Sequence, residues 1–171
     1  MEFTKFLGVI IANKFTWQRH INYMALKISK SLAILSKLKY KIPKNCLLTL
    51  YYSLVYPHFN YCIIIWGCAS QTLMNKLLIL QKRAVRIVDK FNHFKCHTDP
   101  IFFKFKLLKV ADVCMLSCLL FLYKYKFNLL PEVCKSLLTL NADNNVTYRV
   151  SHKFVYRFQI AVIRLVKVAC S

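Results

Sequence analysis

From Gln18 onward the apolar residues recur at every third or fourth position, as Ile21, Met24, Ala25, Ile28, Leu32, Leu35 and Leu38. That period draws one stripe along an α-helix. Lys27, Lys30, Lys37 and Lys41 fall within a quarter turn of each other on the roughly opposite face. One side is built to pack and the other to stay wet. Pro43 ends this helix and can open the next at its first turn, which runs through Leu47, Leu50, Tyr51 and Leu54 to Tyr56 before Pro57. A third helix is expected from about Phe59 to Trp66, stopped by Gly67. Ser70 then offers an N-cap for a fourth. In that fourth helix Leu73, Leu77, Leu80, Ala84 and Val88 share one face, and Lys76, Arg83, Arg86 and Lys90 share another.

The flanks read differently. Residues 6–11 and Phe15, Thr16 and Trp17 are β-branched or aromatic around a polar Asn13-Lys14, a pattern that predicts a short β-hairpin turning there. Residues 89–98 carry no period and read as a loop, after which Thr98-Asp99-Pro100 is a helix-start signal. Val113, Leu116, Leu120 and Tyr123 predict a helix from Ala111 to Phe127, broken near Asn128 to Pro131. Residues 141–145 form the most loop-like run, and periodicity does not decide between helix and strand in the basic, apolar tail. The expected fold is mainly α: a hairpin over residues 1–17, a helical bundle over 18–90, a further helical segment over 91–140 and a tail over 141–171.

Composition narrows what such a bundle does. The 171 residues have room for one domain with at most a small appendage. With Gly8 and Gly67 the only glycines, neither a phosphate-cradling loop nor a dinucleotide fingerprint can be written. The apolar fraction of 57% excludes a disordered basic tail. A formal charge of +20 makes a compact body repel itself until a polyanion or counterions compensate it. Nucleic acid is the first candidate partner and an anionic membrane face the second. The uncharged stretch over residues 45–75 is long enough to span a bilayer, but Pro57-His58-Phe59-Asn60 interrupts it, so buried helices are the better reading. Met1-Glu2-Phe3-Thr4-Lys5 lacks a basic leader region, which favours an intracellular, reducing compartment, cytoplasm or nucleus, for the eight cysteines.

Candidate chemistry is sparse. The acids are Glu2, Asp89, Asp99, Asp112, Glu132 and Asp143, with no two adjacent, so none forms the converging pair that two-metal phosphoryl transfer requires. Helix capping and charge pairing are the expected roles. His93, Cys96 and His97 lie close together, and Cys62 with Cys68 or Cys114 with Cys118 could approach. No Cys pair has the two-residue spacing usual in structural zinc sites, and buried thiols are the commoner outcome. No metal or catalytic residue is therefore assigned. The lysine and arginine stripes with interleaved aromatics remain: cations meet phosphates, and rings stack on exposed bases. Backbone-directed binding, insensitive to base sequence, is the expected mode.

Short words also stand in order along the chain. They are Lys5-Phe6-Leu7-Gly8-Val9-Ile10-Ile11, then Phe15-Thr16-Trp17 with His20-Ile21, then Leu50-Tyr51-Tyr52-Ser53-Leu54-Val55-Tyr56-Pro57 with Asn60-Tyr61. Trp66-Gly67, Leu80-Gln81-Lys82-Arg83-Ala84-Val85-Arg86, Thr98-Asp99-Pro100 with Leu107 and Leu108, and Asn128-Leu129-Leu130-Pro131 follow. In these words the chain resembles the part of non-LTR retrotransposon reverse transcriptases, of the jockey or LINE type, that follows the catalytic palm. The resemblance implies a palm-edge hairpin followed by a thumb-like helical bundle that grips RNA template and DNA primer. Phe6, Leu7, Gly8 and Trp17 would then approach the primer, and this placement agrees with the charge stripes, from which Lys27, Lys30, Lys37, Lys41, Lys82, Arg83 and Arg86 are expected to contact phosphates along the backbone. The catalytic aspartates and their Mg2+ would belong to a palm that precedes the hairpin, supplied in family members by the same chain. The chain departs from the family in having Ala12 where an acid is usual, and in lacking the Trp-Asn-x-Leu-Pro ending. The expectation is an incomplete element copy that binds and does not polymerise. Two other readings stand beside it, a basic membrane-associated helical protein and a relic unable to fold.

Overall fold

A computed structural model of the chain describes residues 3–12, 16–90 and 97–131. The expected turn at Asn13-Lys14, most of the loop over residues 89–98, His93, Cys96 and everything from Glu132 onward lie outside the described residues.

The N-terminal hairpin is present, but it turns elsewhere. Strand β1 (Phe3–Phe6) pairs antiparallel with β2 (Val9–Ala12), with Phe6 opposite Val9 and Phe3 opposite Ala12. The connection is therefore Leu7-Gly8, not Asn13-Lys14. Both residues have positive φ, 43° and 84°, the signature of the two-residue turn whose twist matches a hairpin. The unbroken apolar run over residues 6–11 hid a turn in which leucine takes a conformation that L-residues rarely adopt.

Helix α1 (Gln18–Leu38) buries Ile21, Met24, Ala25, Ile28, Leu32 and Leu35, the stripe read from the sequence. It stops at Leu38, so Lys41 stands in the turn that follows rather than on the helix. Pro43 is the N-cap of α2 (Lys44–Leu54), where its missing N–H costs nothing. The single helix expected around Phe59 to Trp66 is two short turns, α3 (Tyr56–Asn60) and α4 (Ile63–Trp66), and Pro57 sits inside the first turn of α3 instead of behind a helix end. The break comes at Tyr61 and Cys62. Cys62 is left-handed at φ 52°, and the indole N–H of Trp66 donates to the carbonyl of Tyr61 at 2.8 Å. Ser70 precedes α5 (Gln71–Val88), and Thr98 precedes α6 (Asp99–Lys104), which has Pro100 in its first turn. Helix α7 (Val110–Lys126) follows.

Contacts at the helix ends give their directions. Lys76 near the start of α5 reaches Asn22 near the start of α1, while Asp89 just after α5 holds Lys44 at the start of α2. Helices α1 and α5 thus run side by side in the same direction and α2 runs back between their ends. Helix α7 packs on α3, α4 and α5. A single core joins Trp17, Ile28, Leu35, Leu47, Tyr51, Trp66, Leu77, Val85, Phe102 and Val113. Removing one fully buried Ile or Leu side chain from water contributes about 1.5–3 kcal/mol, so these stripes, rather than helix propensity, hold the bundle.

Among the described residues no helix is long and apolar enough to cross a membrane. The uncharged stretch over residues 45–75 is divided among α2, α3, α4 and the start of α5.

Candidate nucleic-acid interface

No acid stands between Glu2 and Asp89, although lysines and arginines recur throughout that stretch. On α1, Lys27, Lys30 and Lys37 are exposed, as is Lys41 beyond its end; on α5, Arg83 is exposed and Lys82 and Arg86 are half-buried. Lys27, Lys30, Lys37 and Arg83 face solvent because they lie opposite the buried stripes of two helices packed directly on each other, whereas Lys82 and Arg86 are partly covered. The ion pairs among the described residues, Lys44 and Lys104 with Asp89 and Lys109 with Asp99, use none of the α1 lysines. Lys76 bridges the two helices instead, donating to Asn22 Oδ1 at 2.7 Å.

Asp89 is the electrostatic anchor of this otherwise acid-free half. Burial alone would raise its pKa, but the hydrogen bonds and charges of Lys104 and Lys44 outweigh that and hold the carboxyl below the usual carboxylate range. Its Oδ1 accepts both ammonium groups, at 2.8 and 3.0 Å, tying the end of α5 to α6 and α2. Asp99 is likewise held low by the hydrogen bond from Lys109. Among the described residues no three His, Cys, Asp or Glu side chains gather as a metal-ion cluster. The described acids are thus occupied by lysines or isolated, and do not fit a Mg2+ site.

The expected primer-facing residues separate. Phe6 and Leu7 are exposed at the hairpin tip, whereas Trp17 is 4% exposed in the core, its ring edge-on to His20. Its burial takes Trp17 off the surface where a strand would lie; an aromatic before an amphipathic helix fits either place, and the core took it. The tip is fastened from below, because the hydroxyl of Tyr61 donates to the carbonyl of Leu7 at 2.6 Å. Arg19 lies over the ring of Phe3 at 4.6 Å, and Lys5 and Lys27 both lie over the ring of Tyr23, at 5.5 and 4.6 Å. The Arg19–Phe3 and Lys5–Tyr23 contacts bind the hairpin to α1, and Lys27–Tyr23 lies within the helix. The hydrogen bond to Lys27 and the nearby Lys5 charge hold the Tyr23 phenol below its ordinary pKa.

Leu7, Gly8 and Lys27, expected from separate arguments, meet at one cleft of about 430 Å³ between the hairpin tip, the start of α1 and α3. His20, Tyr23 and Asn60 also line it. Lys37 and Lys41 lie away from it, because the ten residues of α1 from Lys27 to Lys37 span about 15 Å. Sequence reasoning missed His20 and Tyr23 as cleft residues. The one available signal was the word joining Trp17 to His20 and Ile21.

Comparison with known proteins bears on this geometry. The chain is 29% identical over 88 residues to the RNA-directed DNA polymerase from mobile element jockey of Drosophila melanogaster, a match covering 50% of this chain and 10% of that protein. The similarity links the chain to retrotransposon RNA-directed DNA polymerases. The matched stretch spans about a tenth of the length of that relative. No protein-family model matches the chain, and no solved structure does.

Proposed function

We propose that this chain is a nucleic-acid-gripping part of a retrotransposon RNA-directed DNA polymerase, a palm-edge hairpin and thumb-like bundle that holds template RNA and DNA primer by their backbones. The similarity to the jockey polymerase supports the family, and the acid-free stretch from Phe3 to Val88, with its exposed lysines on α1, carries the grip. Among the described residues Lys27, Lys30 and Lys37 of α1 make no ion pair with a carboxylate, so their attraction for phosphate is not offset in that way. Lys27, Lys30, Lys37, Lys41, Lys82, Arg83 and Arg86 contact phosphates in this reading, and Phe6, Leu7 and Gly8 lie along the primer strand. The chain binds and does not polymerise; the aspartates and Mg2+ of the reaction belong to an adjoining palm.

The test is binding of the purified chain to a short RNA/DNA hybrid over a range of salt. Four phosphates neutralised by Lys27, Lys30 and Lys37 of α1 and by Lys41 just beyond it give a logarithmic salt slope of about −3 to −4. A salt-independent affinity, or sedimentation with anionic vesicles without hybrid binding, overturns the reading.

A further inference from the structure

We propose that the cleft under the hairpin tip takes one unstacked nucleobase, whose carbonyl oxygen accepts the Nε2–H of His20 while its phosphate lies on Lys27. The inference deepens the proposed function and rests on it for the choice of nucleic acid as the source of that base.

The argument begins with the proton on His20. The backbone N–H of Ile10 donates to Nδ1 at 3.3 Å, so Nδ1 is the acceptor and Nε2 carries the hydrogen. Burial pushes the ring's pKa down to about 4, which leaves it neutral near pH 7. The residue is 2% exposed, and Nε2 has no hydrogen-bond partner among the described residues. A buried donor of this kind is ordinarily satisfied. A neutral N–H among apolar walls suits a carbonyl better than an anionic oxygen, which would favour the charged imidazolium.

The remaining lining fits the rest of a nucleotide. Leu7, Met24 and Pro57 offer apolar surface for a base face. Lys27 stands two helical turns beyond His20 on the same side of α1 and lines the same cleft, a displacement suited to the reach from base edge to phosphate. Met24, one turn from His20, is unbranched and adaptable and lines the same cleft. Uracil, thymine, cytosine and guanine carry a carbonyl on the base; adenine has none.

The experiment is nitrogen-detected histidine NMR of the full chain, titrated separately with uridine monophosphate, adenosine monophosphate and ribose phosphate. The expected result is movement of the His20 Nε2 resonance with uridine monophosphate, at a concentration at least about tenfold lower than for the other two probes. Equal movement with ribose phosphate means a phosphoryl site and overturns the proposal, as does a resonance that none of the probes moves. Lys27→Gln, at an exposed position, should weaken uridine monophosphate and leave uridine unchanged; an unaltered uridine monophosphate response overturns the phosphate assignment. Hybrid binding followed in parallel by fluorescence anisotropy separates the two claims. A bound hybrid with no response of His20 to any nucleotide removes the cleft and leaves the grip, whereas a uridine response without hybrid binding does the reverse.

Discussion

The side-chain amide of Gln81 donates to the hydroxyl of Tyr51 at 3.1 Å, and both residues are fully buried. The same amide nitrogen donates to the carbonyl of Leu108 at 2.8 Å, and its oxygen accepts the N–H of Val110 at 2.9 Å. One glutamine therefore joins α2, α5 and the start of α7. Burial pushes the Tyr51 phenol up to about 12, although the Gln81 hydrogen bond works against that. Gln81→Leu keeps the volume but leaves the N–H of Val110 and the carbonyl of Leu108 without this partner. The expected loss is about 3 kcal/mol of unfolding free energy in urea, since each orphaned buried group costs about 1–3 kcal/mol. Tyr51→Phe should cost only about 1 kcal/mol, because Gln81 keeps its backbone partners.

Acid should destabilise the fold in two steps. His20 is depressed in the folded state, so below its ordinary value of about 6.5 the unfolded chain takes a proton that the fold refuses. Stability falls from there until about pH 4, the folded value, and then levels. His58, lowered by burial and by Lys27, acts in the same sense. Asp89 is also depressed, so its contribution is complete above the ordinary carboxylate value of about 4 and is lost as pH falls from there through the folded value. Urea midpoints measured against pH should show both arms. His20→Gln flattens the upper arm, and Asp89→Asn removes most of the lower one at a cost of about 1–2 kcal/mol near neutral pH.

Single substitutions along α1 and in the turn after it should change how binding to an RNA/DNA hybrid depends on salt. Lys30→Gln, Lys37→Gln and Lys41→Gln should each reduce the logarithmic slope by about 1, with little effect on stability. Lys109→Gln is the control, because that cation is already paired with Asp99 at 3.0 Å. Slopes that respond equally to Lys109→Gln and to Lys37→Gln would show attraction to net charge rather than to a defined surface.

What the sequence revealed of this molecule follows from the range of the interactions involved. The buried stripes of α1 and α5 and the cations opposite them were legible, because helical period is local and each two-faced helix states its own packing. The cap at Ser70 and the start at Thr98-Asp99-Pro100 were legible for the same reason. Gln81 was visible only as part of a family word: its partners Tyr51, Leu108 and Val110 come together through the fold, and no local pattern marks a buried amide. The cleft was hidden likewise, since Leu7, His20 and Asn60 converge from three elements. Trp17 misled because an aromatic ring serves a core and a stacking surface equally well. The split between α3 and α4 depends on the left-handed Cys62, a conformation that its residue type does not announce.

The hairpin turn supplies the last test. A two-residue turn with positive φ at both positions favours Asn-Gly, yet this chain places leucine first, at φ 43° and 73% exposed. The left-handed region costs an L-residue about 1 kcal/mol, and asparagine less than leucine because its short amide can bond locally. Leu7→Asn should therefore stabilise the fold by about 0.5–1 kcal/mol in urea while removing exposed apolar surface. Gly8→Ala should do the opposite. A methyl group there meets Tyr61 Cε1 at an ordinary 3.8 Å, so the loss, about 1 kcal/mol, is conformational rather than steric. If Gly8→Ala proves neutral while Leu7→Asn destabilises, the two residues do not occupy this turn, and the register that sets Phe6 opposite Val9 is wrong.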